Sequence, residues 1–110
     1  MSGERLVVLS TVATAEDAER LARALVDRGL AACVNVLPGV ISIYRWKGQV
    51  EADAERLLVI KTRAERFEAL REAIVSLHPY GVPEVIALAI TAGHAPYLAW
   101  LDESVRGDAT

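Results

Sequence analysis

The stretch that most constrains the fold is Ala31 to Thr62, AACVNVLPGVISIYRWKGQVEADAERLLVIKT. Its halves read as two long strands folded back at Lys47-Gly48, because a two-residue loop with Gly second suits the tight turns whose twist matches paired strands. That turn sets Trp46 opposite Gln49, Tyr44 opposite Glu51, Ser42 opposite Asp53 and Val40 opposite Glu55, so one face carries polar and aromatic groups. The other face sets Ile43 beside Ala52, Ile41 beside Ala54 and Arg45 near Val50, and is mainly apolar. Pro38-Gly39 interrupts the first arm. Proline donates no ladder hydrogen bond and glycine bends easily, so a bulge or kink is expected there. Leu57-Leu58-Val59-Ile60 is apolar on both parities, as in a strand covered on both faces. Each arm, at roughly 13 residues, reaches about 40 Å, whereas a compact domain of this size has a radius of gyration of about 13 Å. The hairpin therefore overhangs its own domain, and another copy of the chain is the natural surface for its outer half.

Around this hairpin the chain alternates in type. Leu6 to Val12 reads as a first strand, followed by a helix opened by Thr14 with Asp17 at capping-box spacing. Ala18, Leu21, Ala22 and Leu25 give that helix its apolar stripe, and Gly29 ends it. Thr62 and Glu65 repeat the capping-box spacing ahead of a second stripe, Phe67, Leu70, Ile74 and Leu77, which Pro79 terminates at His78. Pro83 to Ile90 (PEVIALAI) reads as a fourth strand, and Pro96 opens a last helix with Tyr97, Leu98, Trp100, Leu101 and Val105 as apolar positions. The tail from Arg106 is expected to fray. The order β-α-β-β-α-β plus a short helix is an α+β, ferredoxin-like arrangement, one domain over residues 1–110, with both long helices on one face of a four-stranded antiparallel sheet. Strands one, three and four are apolar on both parities, and each such side chain left in water forfeits about 1.5–3 kcal/mol. Self-association is expected to cover them.

Composition narrows the function. Apolar residues make up 53% and charged residues 25% of the 110, with a net charge of −3 and basic residues scattered rather than striped. This argues for a globular protein and against a nucleic-acid partner. No apolar run reaches the length of a membrane span, and the start of the chain leads straight into a helix pattern, so a cytoplasmic location is expected. Cys33, His78 and His94 are the soft or borderline metal-ligand candidates, and no two of them sit at a chelating spacing. Cys33 in AACVNV reads as a small buried hydrophobe, and His78 as a helix-end residue bonding last-turn carbonyls. The other reading makes either a ligand to soft copper at a subunit boundary. Glu51, Asp53 and Glu55 share a strand face, which reads as a solvated edge ahead of a hard-cation site. Lys61 lies on the same parity and either snorkels outward or pairs with an acid, a neighbouring subunit's carboxylate included. The first strand-to-helix turn, Ser10-Thr11-Val12-Ala13-Thr14, lacks Gly and Arg, which argues against a phosphate-binding enzyme site on this fold. No nucleophile–base pair is legible, so the chain reads as a non-enzyme.

Several motifs together resemble one family. Ala31-Ala32-Cys33, Pro38-Gly39, Tyr44-x-Trp46-x-Gly48, Glu55, Lys61-Thr62, His78-Pro79-Tyr80-x-x-Pro83-Glu84 and Gly93-x-x-x-Tyr97-Leu98-x-Trp100-Leu101 resemble the CutA family of divalent-cation tolerance proteins, in order from Leu6 to Ser104. The resemblance implies a trimer similar in architecture to PII signalling proteins, with hairpins embracing neighbours, and a role in tolerance of copper and other divalent cations. It implies a cleft between subunits to which Trp46, Glu55, Lys61, Tyr80 and Glu84 map, and Cys33 matches a cysteine seen in some members; from their residue types, Cys33 and His78 are the candidate metal contacts. A further cysteine that some members carry on the first strand is Ser10 here, which weakens a thiolate-based copper site. The expected function is a homotrimer binding a metal ion or small ligand at those clefts. A PII-like sensor of an anionic metabolite through Lys61, or a trimeric scaffold for a partner, is the alternative.

Overall fold

The computed structural model describes residues 4–105; the expected frayed tail lies outside them. The hairpin forms as its turn requires. Strands β2 (Cys33–Trp46) and β3 (Gln49–Arg63) pair antiparallel from Trp46↔Gln49 down to Cys33↔Lys61, in the register expected from the turn. Lys47 and Gly48 both take positive φ, 51° and 80°, the conformation that lets a two-residue loop follow the strand twist. The pairing slips once, between Leu37 and Val40, where Gly39 sits at φ 79° after Pro38.

Strand β1 (Arg5–Val12) takes the free edge of β3, and β4 (Ile86–Ala89) pairs with β1, giving the antiparallel order β2-β3-β1-β4. Helices α1 (Ala15–Asp27) and α2 (Phe67–Leu77) share one face of this sheet. There Val8 and Val12 of β1 and Leu58 and Ile60 of β3 meet Leu21 and Leu25 of α1 and Leu70 and Ile74 of α2, all buried. Thr14 caps α1 by accepting from the Asp17 amide at 3.1 Å, while the Asp17 carboxylate turns to Arg20. At the other end Gly29 takes φ 72°, and the amides of Gly29 and Leu30 return to the carbonyls of Val26 and Leu25, a Schellman closure.

The opposite face is covered only at one end. Helix α3 (Ala95–Ser104) buries Leu101 with Ala32 and Val105, and its Asp102 accepts from Arg5 and Arg63, cross-strand neighbours on β1 and β3. The Arg5 hydrogen bond holds the Asp102 carboxyl below its usual range. Elsewhere on this face Ile86 and Leu88 stay 52% and 54% exposed. On the helix side, Ile41, Ile43 and Val50 of the outer hairpin are exposed too, Ile43 by 71%.

Two expectations are corrected. Thr62 does not cap α2. It lies inside β3 opposite Leu6, fully buried, and its hydroxyl donates to the Leu30 carbonyl at 2.7 Å, while Glu65 pairs with Arg63 and a 3-10 turn (Ala64–Arg66) leads into the helix. Strand β4 is four residues long rather than running from Pro83 to Ile90. Continuing its ladder past Leu9↔Ile86 would bring Glu84 to Thr11, but His78 takes the Thr11 carbonyl and holds the preceding segment off the sheet.

Ser10 is buried on the helix-covered face with no hydrogen-bond partner for its hydroxyl among the described residues. An unpaired buried hydroxyl costs on the order of 1–3 kcal/mol. Ser10→Ala should therefore raise the urea midpoint, with a gain of about 1 kcal/mol. An unchanged or lower midpoint would show that the hydroxyl is satisfied.

Candidate functional site

The polar face of the hairpin, the end of β1 and the loop after α2 enclose a groove of about 850 Å³. Its wall from the hairpin carries Tyr44, Trp46, Asp53 and Glu55, and its wall from the loop carries Tyr80 and Glu84. The loop is placed by one residue. Pro79 stops α2 at His78, whose backbone turns extended at ψ 139°, and the His78 ring is buried against β1. Nε2 donates to the Thr11 carbonyl at 2.7 Å, and Nδ1 accepts from the Tyr80 amide at 3.1 Å. The ring also packs against that of Tyr80, with centroids 4.6 Å apart.

Tyr80 is thereby aimed at the hairpin, and its hydroxyl donates to Glu55 Oε2 at 2.5 Å. Glu55 is 7% exposed, and no basic side chain of the described residues lies within ion-pair distance of it. Burial and the Glu55 bond raise the Tyr80 hydroxyl well above the usual phenol range. Nearer the tip, Tyr44 donates to Asp53, one step diagonal from its register partner Glu51, as the twist of a two-stranded ribbon favours. That bond pushes the Tyr44 hydroxyl up to about 12.

Four of the five residues expected at a cleft thus converge: Trp46, Glu55, Tyr80 and Glu84. Lys61 does not join them. It sits at the far end of β3, where its ammonium donates to the Asn35 side-chain oxygen, so it neither snorkels free nor meets an acid in its own chain. Cys33, the cross-strand neighbour of Lys61, is half-buried with its thiol 3.9 Å from the same Asn35 oxygen. His78 ends α2 with its backbone amide donating to the Ile74 carbonyl at 2.8 Å, but its ring bonds no last-turn carbonyl. Its two ring nitrogens are both engaged in holding the loop, which leaves neither open to a metal in this arrangement. Among the described residues no three His, Cys, Asp or Glu side chains are grouped to hold a metal ion. Tyr44 and Asp53 also line the groove beyond the five expected residues, and the sequence signal for them is the strand parity they share with Glu55.

The profile of the CutA1 divalent ion tolerance protein family matches residues 6–104. The chain belongs to this family. It is 52% identical over 98 residues to the divalent-cation tolerance protein CutA of Thermus thermophilus, covering 89% of this chain and 95% of that one. It is 50% identical over 101 residues to the chloroplastic protein CutA of Arabidopsis thaliana, covering 92% of this chain but 56% of that longer protein. The crystal structure of CutA1 from Oryza sativa superposes with a TM-score of 0.94 at 47% identity, covering 97% of this chain and 98% of that one. The ferredoxin-like order and the overhanging hairpin are therefore the family's fold.

The Tyr44 bond has a pH signature. A phenol of the unfolded chain ionises at about pH 10, and the folded hydroxyl holds its proton to about 12. The stabilisation it reports is fully present below about pH 10 and is lost as pH rises through the folded value. In a 295 nm titration Tyr44 should ionise late, and Asp53→Asn should bring its midpoint down. A Tyr44 midpoint unaffected by Asp53→Asn would contradict the assigned bond.

Proposed function

We propose that the chain acts as a non-catalytic cytoplasmic homotrimer whose grooves, completed by neighbouring copies, take up a metal ion or small ligand. Membership of the family supports the coarser statement, a role in divalent-cation tolerance. The observation that carries the finer one is the groove itself. Trp46, Glu55, Tyr80 and Glu84 come from separate parts of the chain to one open cavity, next to apolar hairpin surface that a single copy leaves in water. An 850 Å³ groove is of the size that holds small ligands.

Metal capture, on this reading, is a property of the assembly, because the described residues of a single copy group fewer than three ligands. Cys33 is the soft donor that a second copy would complement, with copper the metal to which a thiolate is best suited. The reading that makes Lys61 an anion sensor in the same groove has no support within one chain, where Lys61 is bound to Asn35.

The test is a copper titration of wild type and Cys33→Ala, followed by tryptophan fluorescence. A saturable response in wild type that weakens in Cys33→Ala is expected. No saturable response in either protein would end the metal-binding part of the proposal.

A further inference from the structure

The loop that closes the groove hangs on one ring. Nε2 of His78 meets the Thr11 carbonyl at 2.7 Å, and Nδ1 meets the Tyr80 amide at 3.1 Å. These partners are of opposite kind, because a carbonyl only accepts and a backbone amide only donates. One form of the imidazole serves both, the neutral ring with its proton on Nε2. The imidazolium carries a proton on each nitrogen, so N–H would point at N–H across the Tyr80 contact. Turning the ring over gives no relief, since carbon would then stand where both partners now find nitrogen. A proton on Nδ1 and the Tyr80 bond therefore exclude each other. Both bonds are made inside one chain, by a buried ring, so they do not wait on a neighbouring copy.

Two elements bring charge near the ring. On α1, Asp17 is held low first by its Arg20 hydrogen bond and also senses the His78 ring, while Arg20 itself reaches the Leu77 carbonyl at the end of α2. Asp17 and Arg20 pair with each other at 3.0 Å, so their opposite charges largely cancel at the ring. On β3, Glu55 stands one hydroxyl away, through Tyr80. Strand β1 offers the ring its Thr11 carbonyl. What a proton on Nδ1 changes most is thus the backbone bond. Release is also local. The ladder of β4 begins only at Ile86, so the segment before it can leave while the sheet stays paired. We infer that His78 is a proton-operated latch: the neutral ring holds the Tyr80 segment against the groove, and a proton taken from solvent at Nδ1 frees it and withdraws the Tyr80 hydroxyl from Glu55. This goes beyond the reading of the groove as a binding site and holds whatever the groove takes up.

The test is NMR of the isotope-labelled full chain in its native assembly, titrated from about pH 8 to about pH 5, the range in which imidazoles change charge. At the alkaline end Nδ1 of His78 should read as a bare acceptor and Nε2 as protonated. As pH falls, Nδ1 should gain its proton, and the Tyr80 amide should lose its hydrogen-bonded shift with the same midpoint. His94, the other histidine, is exposed and serves as the internal reference. His78→Asn should abolish the response of the Tyr80 amide, because an Asn oxygen accepts from the amide two residues on and does not titrate. Should that variant fail to fold, the coincidence of the two midpoints in the wild type decides alone. Four results would each overturn the inference: Nδ1 protonated at the alkaline end, a Tyr80 amide unmoved while Nδ1 titrates, an unchanged acid response in His78→Asn, or a ring still neutral where acid unfolds the protein.

Discussion

One strand serves two incompatible surroundings, and the rest of the structure follows from that. The inner half of β3 is the middle of the sheet, with Leu58 and Ile60 buried under α1 and α2. Its outer half runs past both helices as one arm of the hairpin, where Ala52 and Ala54 sit beside Ile43 and Ile41 in the open. Glu55 marks the change, the last buried side chain before the strand leaves the domain. Burial of each exposed large aliphatic is worth about 1.5–3 kcal/mol, so an assembly that covers the outer hairpin and the bare face around Ile86 and Leu88 gains several such terms at once.

The candidate site is a consequence of the same change of surroundings. Where β3 leaves the core, its polar parity faces a gap that the loop after α2 must close. The His78 ring fixes that loop to β1, and Tyr80 reaches across to Glu55. The loop is therefore held by side-chain bonds to backbone and carboxylate rather than by a strand ladder, and the short β4 is the visible cost of this. A metal held by His78 would have to release the loop that builds the groove.

What could be read directly was what depends on local periodicity. The Lys47-Gly48 turn and the two-residue alternation set the hairpin register, with the slip at Pro38-Gly39, because a one-residue error would turn Leu58 and Ile60 away from the helices. What could not be read depends on partners far along the chain. Thr62 has the spacing of a helix cap, but its hydroxyl is claimed by Leu30, 32 residues earlier, and its backbone by the ladder with β1. His78 ends α2 as its place before Pro79 requires, but the use of its ring could not be read, because the Thr11 carbonyl that holds it is 67 residues away. Trp46, Glu55, Tyr80 and Glu84 were grouped through family resemblance, and the geometry places them together. Lys61 shares the strand parity of Glu55, yet distance along β3 removes it from the groove of its own chain.

The central claim is that this chain finishes its fold only against further copies of itself. Analytical ultracentrifugation of the purified chain tests it most directly. The account predicts one species of about three times the 11.9 kDa chain mass that persists on dilution. A stably folded particle of a single chain mass would contradict it, because the exposed hairpin and sheet face would then need no cover.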